Sequence, residues 1–309
     1  IYMPLEQRGD AHEQDRNKLK NLLERAEGSL LSHAFGKEEA KEYLRDFYDL
    51  LERDFFWSRG GQGLALFCSK EESRVYRLAA AVEEYLYIGP SYYLVPLMAH
   101  ADSEQSLLVM ALGTASQRLL RCHRYSFEDL PNEEETKLGE RLKKELESHE
   151  YDGLLAIGLS QQVAPFLESL PRMNTSTTLM DLNCDELSAE EIHERAKIRM
   201  EELARERKKK ELEYLQSKLA SEKGSKDLKD VILGACDGRV ESLFIEYEGE
   251  VWGEFHPEKR ALNFPEERTL DSEELINKCA IETLLHHGSI HVHLDLPLSN
   301  GTVACTFRY

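Results

Sequence analysis

The 309-residue sequence contains no apolar run approaching the roughly 18 uncharged residues that a membrane-spanning helix needs, which excludes an integral helical membrane protein. It is short of positive charge: 39 Lys+Arg stand against 58 Asp+Glu, a formal charge of −19 with neutral histidines. Bulk, sequence-independent binding to nucleic acid depends on neutralising phosphates, so that class is excluded and any RNA contact has to be local. The six cysteines, Cys68, Cys122, Cys184, Cys236, Cys279 and Cys305, are scattered singly with no CxxC pair. They suit neither a zinc ribbon nor a disulfide framework and read as reduced thiols. No basic-then-apolar leader with a small-residue cleavage site opens the sequence, so the expected location is cytoplasmic. Walker A, G-x-G-x-x-G and G-x-S-x-G patterns are also missing, so nucleotide-dependent chemistry has no visible machinery and no cofactor is expected.

What is present is alternating helix and strand patterning. Leu19, Leu22, Leu23, Ala26 and Leu30 fall at helical spacing, and Ala40, Tyr43, Leu44, Phe47, Leu50 and Leu51 repeat it. After Phe55-Phe56-Trp57, strand-like runs are expected at 63–68, 75–78 and 93–98. A new unit starts with two apolar runs, 107–112 and 117–123, joined by a turn at Gly113-Thr114-Ala115-Ser116. A helix over 133–148, a buried strand over 153–159 and a helix over 161–170 complete a β-β-α-β-α series, the alternation of a mixed or parallel sheet. Ser188 with Glu191 has capping-box spacing, and the helix it starts runs without proline or glycine to about Ala220, long enough to bridge domains. Residues 221–226 read as a linker. Beyond it, strands are expected at 240–247, 250–255, 289–295 and 302–309, with a helix capped by Asp271 and Glu274 and stopped by Gly288. The punctuation gives three α/β domains, 1–102, 103–222 and 223–309.

Several stretches, in this order and spacing, resemble the bacterial relatives of the archaeo-eukaryotic class-I release factor and of Pelota. They are Ile1-Tyr2-Met3-Pro4, Arg16-Asn17-Lys18-Leu19-Lys20-Asn21-Leu22-Leu23, Gly63-Leu64-Ala65-Leu66-Phe67, the run from Asp185 to His193, Gly238-Arg239-Val240-Glu241-Ser242-Leu243-Phe244, Trp252-Gly253 and Phe307-Arg308-Tyr309. The resemblance implies a divergent first domain, a ribonuclease-H-like middle domain and a ribosomal-protein-like α/β sandwich at the end. It also implies work at the ribosomal A site in rescue, quality control or hibernation, with the ribosome, rRNA and tRNA as partners, a translational GTPase as a further one, and no membrane.

True release factors carry Gly-Gly-Gln in the middle domain, where small glycines let backbone approach the peptidyl-transferase centre at unusual dihedrals. This chain has Gly60-Gly61-Gln62, preceded by Arg59, in the first domain instead. The corresponding loop of the middle domain, about 129–137, reads Asp-Leu-Pro-Asn-Glu-Glu-Glu-Thr-Lys, and Glu133, Glu134 and Glu135 would repel RNA phosphate. The leading expectation is therefore a ribosome-binding factor without ester hydrolysis, in which Gly60 and Gly61 make a turn into the strand at 63–68. The alternatives are a peptidyl-tRNA hydrolase using Gly60, Gly61 and Gln62, and a non-ribosomal protein-binding scaffold acting through the acidic surface.

The basic run Arg205, Arg207, Lys208, Lys209 and Lys210 is the candidate RNA contact. Its competing reading is a solvated helix face neutralised by Glu201, Glu202, Glu206, Glu211 and Glu213 at i,i+3 and i,i+4. His286, His287, His291 and His293 crowd into eight residues, with His291 and His293 on one face of a strand. No cysteine or carboxylate spacing completes a metal site there, and helix-cap or structural roles are expected. Asp152 and Asp181 could form a ribonuclease-like metal pair or simply be solvated. Ser160-Gln161-Gln162 follows the 153–159 strand, where open α/β sheets often take ligands.

Overall fold

The computed structural model describes residues 1–309 apart from 7–10, 33–34, 59, 104, 132–136, 169–175, 267–271, 295 and 297–301. The chain divides into two compact units, one made of Ile1–Asp102 with Ser217–Tyr309 and the other of Ser103–Gln216. Both are mixed α/β.

The first segment runs β1 (Tyr2–Pro4), α1 (Ala11–Ser32), α2 (Lys37–Leu51), α3 (Asp54–Trp57), β2 (Gly63–Cys68), β3 (Ser73–Leu78) and α4 (Val95–Ser103). β2 is the middle strand of an antiparallel sheet, β1-β2-β3. Its run Gly-Leu-Ala-Leu-Phe-Cys is apolar throughout because both faces are covered. Leu64 and Leu66 pack with Leu19, Leu22 and Leu23 of α1 and Leu44 and Phe47 of α2. The alternate residues Ala65 and Phe67 join a core built largely from the last ninety residues, including Val231, Leu243 and Ile276.

The strand expected at 93–98 is instead the start of α4. Pro96 explains the difference: it lacks the N–H that a ladder requires but is tolerated in the first turn of a helix.

The second segment contains β4 (Ser106–Leu112), β5 (Gln117–His123), β6 (Phe127–Leu130), α5 (Leu138–Ser148), β7 (Gly153–Gly158), α6 (Ser160–Glu168), β8 (Thr177–Asp181) and α7 (Ala189–Ala220). The sheet order is β6-β5-β4-β7-β8. Only β5 is antiparallel to its neighbours, since β4 pairs parallel with β7 and β7 parallel with β8. Third-second-first-fourth-fifth, with the second strand reversed, is the ribonuclease-H-like arrangement.

Alternation along β4 and β7 divides this core. Leu107, Val109, Leu155 and Ile157 meet Ile192, Ala196 and Met200 of α7 on one face. Leu108, Met110, Leu154 and Ala156 meet Leu138, Leu142 and Val163 on the other. The edge strands β6 and β8 did not figure in the sequence pattern, because Phe-Glu-Asp-Leu and Thr-Thr-Leu-Met-Asp are short and half polar. α5 is described from Leu138; the expected start at Glu133 lies outside the described residues. The capping box opening α7 is present, with Ser188 N donating to Glu191 Oε2 at 2.8 Å and Glu191 N to Ser188 Oγ at 3.2 Å.

The last segment contains β9 (Gly224–Ser225), α8 (Leu228–Cys236), β10 (Val240–Glu246), β11 (Trp252–His256), β12 (Ala261–Asn263), β13 (Glu273–Glu274), α9 (Leu275–Leu285), β14 (Ser289–His293) and β15 (Val303–Phe307). Its main sheet is β14-β10-β15-β9, with α8 and α9 contributing Val231, Ile232, Ile276 and Cys279 to the core. The supposed linker at 221–226 is fastened: Ser225 and Gly224 pair with Cys305 and Thr306. α8 was not expected from the sequence because its run from Val231 to Cys236 is apolar without a 3.6-residue period. Among the described residues no helix is long and apolar enough to cross a membrane.

Candidate functional site

Gly60, Gly61 and Gln62 form the entry to β2. Gly61 has φ +140°, a conformation that favours glycine. Gln62 is already held in the sheet: its N–H donates to Leu78 O and its carbonyl accepts from Leu5 N, both at 2.8 Å. Arg77 Nη1 donates to Gly60 O at 3.4 Å. The backbone here performs strand-end work on both sides, while Arg59 lies outside the described residues. So do Glu133, Glu134 and Glu135. Asp129, at the start of that stretch, is engaged by Arg118 Nε at 3.1 Å.

Arg205, Arg207, Lys208, Lys209 and Lys210 lie along the middle of α7. Arg207 approaches Glu211 at 3.6 Å and Lys209 approaches Glu213 at 3.9 Å, both i,i+4 pairs. Arg205, Lys209 and Lys210 are exposed. The i,i+4 neutralisation that the sequence suggested is thus present at Arg207 and Lys209.

The histidines separate into two roles. His286 is the C-cap of α9, with Nδ1 2.9 Å from Glu282 O. His291 and His293 stack on Phe244 with ring centroids 4.9 and 6.1 Å away, which places both on one face of β14 as their spacing requires. Among the described residues no group of three or more His, Cys, Asp or Glu side chains is arranged to hold a metal ion.

Asp152 and Asp181 do not form a pair. Asp152 precedes β7 and accepts from Ser106 N at 2.8 Å. Asp181 aligns with Gly158 at the opposite end of the same strand, roughly 20 Å away at about 3.3 Å per residue. Its carboxylate accepts from Ser160 N at 3.1 Å, and hydrogen bonding to Ser160, through the side chain first and the backbone second, holds its pKa below the usual carboxylate value. The position after β7 is therefore occupied by a helix-start hydrogen bond.

Two polar arrangements join partners distant in the chain, and of their members the sequence signalled only Glu274, as a cap of the last helix. Asp185 Oδ1 and Oδ2 accept from Ala115 N and Thr114 N at 3.0 Å each, and Ser116 Oγ and Thr114 Oγ1 also donate to it. These bonds draw its pKa down to about 2 and lock the β4–β5 turn. Gly113 is required beside it, since a Cβ would lie 2.0 Å from Asp185 Oδ1.

The second arrangement joins the two segments of the larger unit. Asn277, fully buried, accepts from Leu94 N at 2.7 Å and donates to Tyr92 O at 2.8 Å. Glu274 caps α9 by accepting from Ile276 N and Asn277 N, and also takes Val251 N at 2.9 Å. Tyr87 tilts against Trp252 at 5.5 Å in the same region. Burial pushes the Glu274 carboxyl up to about 7. A nearby cavity of about 560 Å³, lined among others by Phe35, Tyr43, Cys68 and Tyr92, has no charged side chain in its described lining and offers no acid–base pair.

No protein-family profile and no curated protein matches the chain. Solved structures do. Archaeoglobus fulgidus Pelota is 14% identical over 80% of this chain and 79% of its own, with a TM-score of 0.38. A ribosome-bound archaeal Pelota, described together with ABCE1, is 11% identical over 80% and 78%, with a TM-score of 0.47. S. cerevisiae Dom34, described as a translation termination-like factor that interacts with Hbs1, is 11% identical over 66% and 62%, with a TM-score of 0.41.

Proposed function

We propose that this protein is a release-factor-like and Pelota-like factor that binds the ribosome at the A site in rescue, quality control or hibernation, without hydrolysing the peptidyl-tRNA ester. Its working parts are the segments 1–102, 103–222 and 223–309. The observation that carries the reading is the five-stranded sheet β6-β5-β4-β7-β8 with β5 alone reversed, the middle-domain arrangement that the sequence resemblance implied. The unbroken α7 and an α/β segment follow it in the expected order. rRNA and tRNA are the RNA partners of this reading, and a translational GTPase is its protein partner.

Two features favour binding without hydrolysis. Gln62 has both backbone hydrogen-bonding groups committed to neighbouring strands, whereas a catalytic glutamine has to present backbone to the ester. The solvent-facing edge Arg205, Lys209 and Lys210 gives the acidic chain a local cationic contact.

Sedimentation of purified ribosomes through a sucrose cushion tests the proposal. The protein should pellet with them at low salt, and Lys208→Ala, Lys209→Ala and Lys210→Ala together should weaken pelleting. On ribosomes loaded with peptidyl-tRNA, no peptide release is expected. Release that disappears in Gln62→Ala would establish the hydrolase reading instead.

A further inference from the structure

Two stretches that carry the family resemblance, Gly238-Arg239-Val240 and Phe307-Arg308-Tyr309, are 69 residues apart yet meet at one end of the last sheet. Val240 pairs with Phe307 across β10 and β15, and Arg308 N donates to Arg239 O at 2.9 Å. Arg260 reaches the same place from the turn between β11 and β12. Its Nη1 and Nη2 grip Asp237 Oδ1 and Oδ2 at 3.0 and 2.8 Å.

Arg239 Nε is 3.6 Å from that same Asp237 carboxylate, and its guanidinium lies 5.1 Å from the Phe307 ring centre. Arg308 Nη2 donates to His286 O at 2.5 Å. Gly238, at φ +69°, lets this turn approach the imidazole: a Cβ there would sit 2.8 Å from His286 Cδ2. The backbone is thus shaped to bring the groups together.

Arg239 and Arg260 share the Asp237 carboxylate while Arg308 turns to the His286 carbonyl, so these four side chains, three cations and one anion, sum to +2 on a chain that carries −19 overall. Arg260 retains 55% side-chain exposure and Arg239 37%. Arg308 and His287 are exposed, and Tyr309 is 82% exposed beside them in sequence. Guanidinium forks match phosphate oxygens bidentately, and flat rings next to them provide faces on which unpaired bases stack. An acidic protein would use the charges but not the exposed rings.

We propose that Arg239, Arg260 and Arg308, with the neighbouring His287 and Tyr309 rings, form a binding surface for the phosphate backbone and bases of single-stranded RNA. This deepens the ribosomal reading and rests on it. Asp237 acts as the organiser, holding Arg260 and Arg239 in register so that their remaining N–H groups are pre-oriented.

The test uses the full chain and a 5′-fluorescein-labelled 20-nucleotide mixed-sequence RNA, followed by anisotropy from 50 to 200 mM salt. Three phosphate contacts on a single strand give a log–log salt slope of about −2. Arg239→Gln, Arg260→Gln and Arg308→Gln together should abolish most of that slope and weaken binding at 50 mM salt by about tenfold or more. Arg308→Gln alone, at an exposed position, should remove about 0.7 of the slope.

An unchanged slope in both variants overturns the proposal, and so does wild-type protein that ignores the RNA but captures a polyglutamate peptide. Ribosome pelleting of the same proteins separates the two levels. If the wild type and the triple variant pellet equally, this surface is wrong while the ribosomal reading stands. If the wild type never pellets, the ribosomal reading itself fails.

Discussion

Glu274 shows how one residue can connect burial, local geometry and pH. It is 1% exposed and caps α9, yet burial outweighs its three backbone N–H partners and raises its carboxyl from 4.5 to about 7. Between pH 4.5 and 7 the folded chain holds a proton that the unfolded chain has released. Its contribution to stability is therefore complete below pH 4.5 and is lost as pH rises toward 7, by up to about 3 kcal/mol. Urea unfolding across this window should show wild-type stability falling relative to Glu274→Gln. Parallel profiles for the two proteins would contradict the assignment. Asp185 behaves in the opposite sense: its depressed pKa makes the turn lock fully effective above about pH 4 and lost on acidification toward pH 2. The Glu274 cap could be read from the sequence, but its burial and the Asp185 turn lock could not. Asp185 and Thr114 are 71 residues apart and Asn277 and Leu94 are 183 apart, and no local spacing encodes such pairs.

At the scale of elements, the sequence disclosed those whose signals are local. The periodicities of α1, α2 and α7, the apolar strands β4 and β7, and the Ser188–Glu191 box all appear where residue pattern alone places them. The elements it hid depend on tertiary context. β6 and β8 are stabilised by the sheet they border, and the run from Val231 to Cys236 in α8 carries no polar residue to mark a period.

The end of α9 is a subtler case. Gly288 was the expected stop, but the residue in the left-handed region is His287, at φ 57°. Gly288 serves a different need: its N–H closes on Thr283 O at 2.8 Å, and a Cβ there would lie 2.5 Å from Thr283 Cγ2. His287 N donating to Leu284 O at 2.9 Å completes the pair of C-terminal bonds that usually has glycine between them. Because a β-carbon in this conformation costs about 1–2 kcal/mol, His287→Gly should stabilise the protein by about 1 kcal/mol in thermal or urea unfolding. A loss of stability would show that the imidazole makes contacts worth more than the strain it brings.

At the scale of the whole molecule, charge and topology together constrain function. On a chain with a net charge of −19, the proposed RNA contacts fall on small cationic surfaces, namely the edge of α7 and the arginine cluster at the end of the last sheet. The second unit has the ribonuclease-H-like strand order. The candidate site was only partly legible: the basic run of α7 could be read in sequence, while Arg239, Arg260 and Arg308 were dispersed until β10 and β15 paired. Cryo-electron microscopy of ribosomes incubated with saturating protein tests the central claim most directly. The account predicts density for this chain in the A site with the peptidyl-tRNA ester intact; an A site left empty under those conditions would contradict it.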